Sequence, residues 1–119
     1  YVSKKLICTN PDLTVHRGDV EELCAGSVAK VFEQLGGEVV YFGKPYEEVY
    51  KMCFKKNERV LAIGDNLRTD IKGANILNFD CMYISEGVHR GEYNDDSELE
   101  TLLKKYNVKA NFYQKELKW

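Results

Sequence analysis

Two aspartates form the combination of residue type and spacing that most directly suggests chemistry in this sequence. Asp65 follows the apolar run RVLAIG (59–64), which predicts a strand, and Asp70 comes five residues later in the first turn of a predicted helix. A tight loop could bring both carboxylates to the carboxyl end of the strand, where open α/β sheets hold ligands. Such oxygen donors suit Mg²⁺, which prefers a few carboxylates, several waters and phosphate oxygens. An equally good interpretation is structural, with Asp65 capping a turn and Asp70 complementing the helix dipole.

Lys44 adds a positive charge that favours the first interpretation. It precedes Pro45 at the start of a predicted helix, where its charge opposes the helix dipole by about 0.3–1 kcal/mol. A bound anion would remove that cost, because helix amino termini and ammonium groups both attract phosphate. The structural alternative is an exposed lysine that extends into solvent. Together, the lysine and the two aspartates favour a pocket for a divalent cation and a phosphoryl group.

The elements that would position these residues alternate between strands and helices, which is typical of an α/β fold. The continuous apolar character of RVLAIG predicts a central strand covered on both faces. The residues before Asp19 are predicted to form a loop after the first strand. Strands are predicted at 5–9, 39–42, 59–64, 81–85 and 110–113, and helices at 20–35, 45–57, 69–77 and 98–106.

Composition limits the possible partners. The 119 residues suffice for one domain, and 17 basic against 19 acidic residues give a net charge of −2, so no broad field attracts nucleic acid or anionic lipid. No apolar run is long enough to cross a bilayer. The four cysteines lack metal-site spacing and are expected to be free, buried thiols, with disulfides as the alternative. We therefore expect a cytoplasmic protein that binds neither nucleic acid nor membrane.

Three segments carry a family resemblance. GKP at 43–45, GDNLRTD at 64–70 and ISEGVHRGEY at 84–93 together resemble the carboxy-terminal half of haloacid dehalogenase (HAD) superfamily hydrolases. TNPDLTV at 9–15 and CAGSVAKVFEQLGG at 24–37 further resemble subfamily IIA, whose phosphatases carry a C2-type cap. The resemblance implies a three-layer Rossmann-like parallel sheet with helices on both faces, incomplete here. Residues 1–20 would be a remnant of the cap domain and linker, and residues 21–119 the carboxy-terminal half of the core.

The resemblance also implies an activity, namely Mg²⁺-dependent hydrolysis of a small phosphomonoester through an aspartyl-phosphate. Lys44 would be the motif III lysine, which steadies the nucleophile and the phosphoryl oxygens. Asp65 and Asp70 would be the motif IV metal ligands. Asn66 would be a neighbouring polar contact to the substrate.

Two further pairs of residues have a less specific signal. His16 and Arg17 lie in a predicted loop of the cap region and would contact the leaving group, or else be solvated. His89 and Arg90 lie near the predicted active edge and are interpreted as a surface loop.

One departure from the family pattern affects these expectations. The sequence contains neither a DxDG nucleophile motif nor the Ser or Thr phosphate motif that follows it in the family. The chain alone is therefore expected to be inactive, and the alternative is a non-catalytic α/β binding or interaction module. Without the nucleophile strand, RVLAIG would be an uncovered apolar edge. The missing amino-terminal half, or self-association, is expected to cover it.

Overall fold

Two structural units make up the chain, Tyr1–Cys53 and Phe54–Trp119. The computed structural model describes residues 2–118, apart from the side chain of Asp96. Within the described residues, no helix is long and apolar enough to span a membrane. The four cysteines are free thiols, as predicted, but only Cys8 and Cys81 are buried; Cys24 is half-buried and Cys53 is exposed.

The first unit contains a pair of parallel strands joined through a helix. Strands β1 (Lys5–Cys8) and β4 (Glu38–Tyr41) pair in parallel, and helix α1 (Ala25–Gln34) packs against both of them. Gly26 allows α1 to approach the backbone of Pro11, where any β-carbon would overlap with the carbonyl group. The helix ends as predicted at Gly36, whose φ of 84° reverses the chain.

A hairpin separates β1 from α1, and here the sequence prediction is wrong. Residues expected to be a loop and the start of a helix form antiparallel strands β2 (Thr14–Arg17) and β3 (Val20–Leu23). The two-residue turn begins at Gly18, whose φ of 62° suits a tight hairpin turn. The apolar spacing of Val20 and Leu23 is compatible with a helix, but cross-strand pairing determines the structure of this segment.

The helix predicted after Pro45 is also wrong. Only a short 3₁₀ helix, Glu47–Val49, forms there, followed by turns. The Tyr46 ring stacks on that of Tyr41, with the ring centroids 5.3 Å apart. The helical spacing places Tyr46, Val49, Tyr50, Cys53 and Phe54 on one apolar face, but Tyr46 and Val49 are 41% and 38% exposed and Cys53 is exposed, so that face is not buried. Because most helices in proteins depend on burial of such a face, the segment does not continue as an α-helix.

The second unit is a three-stranded parallel sheet with helical connections. Its strands β5 (Leu61–Gly64), β6 (Asp80–Ile84) and β7 (Phe112–Gln114) lie in the order β5-β6-β7. A π-helical turn, Leu67–Ile71, and α2 (Lys72–Ile76) connect β5 to β6, and α3 (Asp96–Tyr106) connects β6 to β7. These elements agree with the predicted alternation and confirm the α/β class.

The core of the second unit lies between the sheet and these helices. Leu67, Ile71 and Tyr83 are fully buried, and each buried aliphatic side chain contributes about 1.5–3 kcal/mol. The other buried members are Ala74, Cys81, Leu99, Leu102 and Val108.

Strand β5 departs from its predicted environment. It is an edge strand of the sheet, and Leu61 and Ile63 are 45% and 43% exposed. The expectation that both faces of RVLAIG are covered is therefore wrong. The predicted central position is wrong as well, because among the described strands β5 pairs only with β6; the predicted uncovered edge of this strand is what the sheet shows.

Candidate active site

Asp65 lies directly after β5, at the carboxyl end of the strand. Its Oδ2 atom accepts a hydrogen bond from the backbone N–H of Val88 at 3.0 Å. Gly87 makes this approach possible, because a β-carbon at that position would overlap with the Asp65 carboxylate. The loop after β6 therefore packs against Asp65 and positions its carboxylate.

Asp70 returns to the same place from the π-helical turn. Its Oδ2 atom accepts the backbone N–H of Asn66 at 3.1 Å, and the side chain is held against Gly64, where a β-carbon would overlap with the carboxyl group. The N–H groups of Asp70 and Ile71 both donate to the Asn66 carbonyl oxygen, at 2.9 and 3.2 Å. This widened turn, a geometry frequent at functional sites, brings the carboxylate of Asp70 to the backbone beside Asp65.

Asn66 has a structural role in this loop. Its Oδ1 atom accepts the backbone N–H of Arg68 at 2.9 Å and so caps the π-helical turn. The residue is 6% exposed. The predicted contact of Asn66 with substrate stays a prediction, while the capping bond gives the residue a role that needs no ligand.

A buried histidine supports the loop from the other side, contrary to the predicted surface position. His89 is fully buried. Its Nε2 atom accepts the backbone N–H of Leu67 at 3.2 Å, and its Nδ1 atom lies 2.7 Å from Oε1 of Glu92. Arg90, by contrast, is exposed as predicted.

Glu92 is the acceptor at the centre of this cluster. Its carboxylate accepts Lys105 Nζ at 3.0 Å and the Tyr106 hydroxyl at 3.1 Å, and Arg68 donates to that hydroxyl oxygen at 3.0 Å. Partial burial acts to raise the pKa of Glu92, but hydrogen bonds from His89, Lys105 and Tyr106 outweigh it and lower the pKa to about 2. Glu92 is therefore ionised at any physiological pH.

Lys44 lies in the first unit, in the loop after β4, and its side chain is exposed. Gly43 is buried against the loop after β1. The contact is so close that a β-carbon at this position would overlap with Thr9 and Pro11. The ends of β1 and β4 thus place Lys44 at the carboxyl edge of a parallel strand pair. Since no α-helix follows it, the argument from a helix dipole no longer applies. Its convergence with Asp65 and Asp70 stays a prediction.

His16 and Arg17 lie on strand β2 rather than in a loop. Their cross-strand partners are Glu21 and Val20, and Arg17 forms an exposed ion pair with Glu22 at 3.3 Å. The hairpin could have been recognised from the Gly-Asp pair between two alternating segments. Contact of His16 or Arg17 with a substrate stays a prediction.

Sequence reasoning missed the supporting residues of the second unit. His89 and Glu92 are separated by three positions in the loop after β6, and Gly64 and Gly87 provide space for the two carboxylates. The only signal in the sequence was a histidine between two glycines with an acid three residues later. This signal is too weak to predict burial.

The donor set fits part of a magnesium site. Asp65 and Asp70 supply hard oxygen atoms at one strand end, and Mg²⁺ often binds through one or two carboxylates with waters and phosphate oxygens. Among the described side chains, no group of three or more His, Cys, Asp or Glu residues could hold a metal ion. Two carboxylates would fit a site completed by waters and phosphate oxygens, and the role of Asp65 and Asp70 as metal ligands stays a prediction.

The parallel sheet, with carboxylates at the carboxyl end of one strand, defines a Rossmann-like α/β protein. The HAD-hydrolase-like family model matches residues 41–111. This range covers more than half of the chain, and the chain belongs to the HAD family. No curated protein sequence matches it.

Solved structures agree with this assignment. A haloacid dehalogenase-like hydrolase from Brucella suis 1330 is 33% identical, with a TM-score of 0.66, over 90% of this chain and 39% of that chain. A possible sugar phosphatase of the HAD superfamily from Cytophaga hutchinsonii is 26% identical, with a TM-score of 0.70, over 95% and 42%. A p-nitrophenyl phosphatase from Archaeoglobus fulgidus, 18% identical with a TM-score of 0.70 over 96% and 44%, shows the shared fold.

The coverage figures also show that the match is partial. The chain spans about 40% of the length of these structures. The expected resemblance to the carboxy-terminal portion of HAD phosphatases, with an incomplete Rossmann-like sheet, is confirmed.

Proposed function

We propose that the chain supplies the carboxy-terminal half of the active site of a Mg²⁺-dependent HAD-type phosphatase of subfamily IIA, acting on a small phosphomonoester. The observation that supports this proposal is the arrangement of Asp65 and Asp70. Both carboxylates are held by backbone amides at the end of β5, and two glycines leave room for them. A purely structural loop would not require two acidic side chains packed against glycines at the ligand-binding edge of the sheet.

The proposed division of roles follows from charge. Asp65 and Asp70 would hold the metal ion, which when bound would neutralise negative charge on the phosphoryl oxygens. Lys44 would bind a phosphoryl oxygen and stabilise the nucleophilic carboxylate through its positive charge. The nucleophile and the phosphate-binding hydroxyl would come from protein outside this sequence. The chain by itself would then bind metal weakly and turn over no substrate.

The same proposal assigns the partners of the chain. Its small-molecule partner would be a phosphorylated metabolite in the cytoplasm, with no nucleic acid and no membrane. The half of the active site outside this sequence, or a second copy of the chain, would pair with the edge of β5 that is not hydrogen-bonded to β6.

Turnover of 4-nitrophenyl phosphate by a longer protein that contains the nucleophile motif tests the function. We expect activity with Mg²⁺ and none after chelation, and a loss of about 10²-fold or more in kcat/KM for Asp65→Asn and for Asp70→Asn. Asp80→Asn is the matched control, because Asp80 is an exposed carboxylate on β6. Full turnover by Asp65→Asn would refute its assignment as a metal ligand.

Lys44 has its own test in the same protein. Lys44→Met keeps the length of the side chain and removes its charge, and we expect a loss of kcat comparable with that of the aspartate variants. Lys51→Met is the control, because Lys51 forms an exposed ion pair with Glu47 in the same unit. Equal activity of the two variants would exclude Lys44 from the active site.

A further inference from the structure

His89 combines complete burial with a hydrogen bond at each of its two ring nitrogens. The backbone N–H of Leu67 can only donate, so Nε2 of His89, 3.2 Å away, must accept. The ring proton then lies on Nδ1, which donates to Glu92 Oε1 at 2.7 Å. In this arrangement the ring accepts at Nε2 and donates at Nδ1. Its two nitrogens connect the loop after β5 with the loop after β6.

A second connection runs in parallel with the first. The guanidinium of Arg68 donates to the Tyr106 hydroxyl at 3.0 Å and lies 4.8 Å from the centre of its ring. That hydroxyl donates in turn to Glu92. Two consecutive residues of the GDNLRTD segment, Leu67 and Arg68, are therefore connected to the Glu92 carboxylate, one through His89 and one through Tyr106.

The position of these connections within the loop relates them to the candidate metal ligands. Leu67 and Arg68 lie between Asp65 and Asp70 in the chain. On the opposite side, Val88 precedes His89 and donates its N–H to Asp65. A displacement of His89 would therefore disturb Asp65 directly, through Val88, and would loosen the turn that holds Asp70.

We propose that His89 is a positioning residue for the metal ligands: its imidazole, oriented by Glu92, accepts a hydrogen bond from the Leu67 amide and fixes the loop that carries Asp65 and Asp70. This proposal rests on the proposed function for the identity of the ligand. The hydrogen-bonded connection itself is a property of the chain without metal. It assigns His89 no contact with substrate and no proton transfer.

Three substitutions at His89 separate this role from simple filling of space. In His89→Gln the side-chain oxygen can reach the position of Nε2 and accept the Leu67 amide. In His89→Asn the amide can reach only the position of Nδ1 and keeps the bond to Glu92 alone. His89→Phe fills the space without accepting a hydrogen bond.

Hydrogen exchange of the backbone amides of the metal-free chain is the first measurement. We expect His89→Gln to retain the protection of Leu67 and Val88 within about threefold, and His89→Asn and His89→Phe to lower it by about 10-fold or more. The amide of Cys81, in the core strand β6, is the reference for global opening. Loss of protection at Leu67 and Val88 relative to Cys81 supports the proposal. The proposal is overturned if the Gln and Asn variants show equal protection of Leu67 and Val88. It is also overturned if protection falls uniformly, with Cys81 losing as much as Leu67 and Val88.

Titration with Mg²⁺, followed by the amide signals of residues 65–70, is the second measurement. We expect Kd for Mg²⁺ to change by less than about threefold in His89→Gln and to rise by about 10–100-fold in His89→Asn, as for other residues that orient metal ligands. If the Gln and Asn variants differ in hydrogen exchange but bind Mg²⁺ with equal affinity, the positioning role is overturned. If wild-type chain shows no response to Mg²⁺ while exchange distinguishes Gln from Asn, the metal assignment fails and the connection through His89 stands.

Discussion

Replacement of Glu92 by glutamine should make the protein less stable in a manner that depends on pH. Glu92 accepts hydrogen bonds from His89, Lys105 and Tyr106, which lower its pKa from the ordinary value of 4.5 to about 2. Glutamine keeps the shape of the side chain but removes the charge. Since the folded state stabilises the carboxylate, the stabilising contribution is fully present above pH 4.5 and is lost as the pH falls towards 2.

The magnitude follows from the pKa and the exposure. A lowering from 4.5 to about 2 corresponds to about 3 kcal/mol. The side chain is 33% exposed, and solvent screening reduces this figure to about 1–2 kcal/mol at pH 7. At pH 3 the unfolded chain holds the proton and the folded chain largely does not. Less than about half of the contribution should then remain.

Urea unfolding of wild type and Glu92→Gln between pH 3 and pH 7 measures this difference. The free energy of unfolding of the variant should be lower by about 1–2 kcal/mol at pH 7, and the gap should narrow steadily below pH 5. Glu100→Gln is the control, because it makes the same chemical change at an exposed position of α3. A gap that does not vary with pH, or one no larger than that of Glu100→Gln, would refute the account of Glu92 as an ionised acceptor.

Two further substitutions test the backbone requirements of the second unit. Gly87→Ala should displace the Asp65 carboxylate, lower stability by about 1–3 kcal/mol and weaken Mg²⁺ binding in a titration. Val88→Ala, which keeps the N–H that Asp65 accepts, should bind Mg²⁺ as wild type does, and equal binding by both variants would contradict the steric argument. Asn107 ends α3 in the left-handed conformation, with a φ of 53°. Asn107→Ala should therefore lower the free energy of unfolding in urea by about 1 kcal/mol, and Asn107→Gly should lower it much less. Equal losses in the two variants would show that the left-handed cap does not contribute to stability.

The predictions agree best with the structure where a local sequence pattern is compatible with only one local structure. The apolar strand, the aspartate after it and the following turn are contiguous in GDNLRTD, so their order alone places Asp65 at the end of β5. The alternation of strands and helices in the second unit follows the same logic. Gly36, after α1, is another such case, because its positive φ ends the helix locally and does not depend on distant contacts.

The predictions failed where two local structures were both compatible with the sequence. Val20 and Leu23 suit a helix face as well as a strand, and only pairing with β2 selects the strand. The apolar residues after Pro45 have helical spacing, but two of them, Tyr46 and Val49, remain exposed. A helix whose apolar face is not buried gains little from forming.

The sequence by itself determined the α/β class, the family and the candidate metal ligands, because these depend on residue order and on short motifs whose geometry is local. Tertiary structure decided that His89 is buried, that Glu92 is its acceptor and that Gly64 and Gly87 make room for the carboxylates. Leu67 and the His89 ring that accepts its amide are 22 positions apart, as are Asp65 and Gly87. The energies of these contacts depend on distance and burial in space, and no periodicity along the chain encodes them.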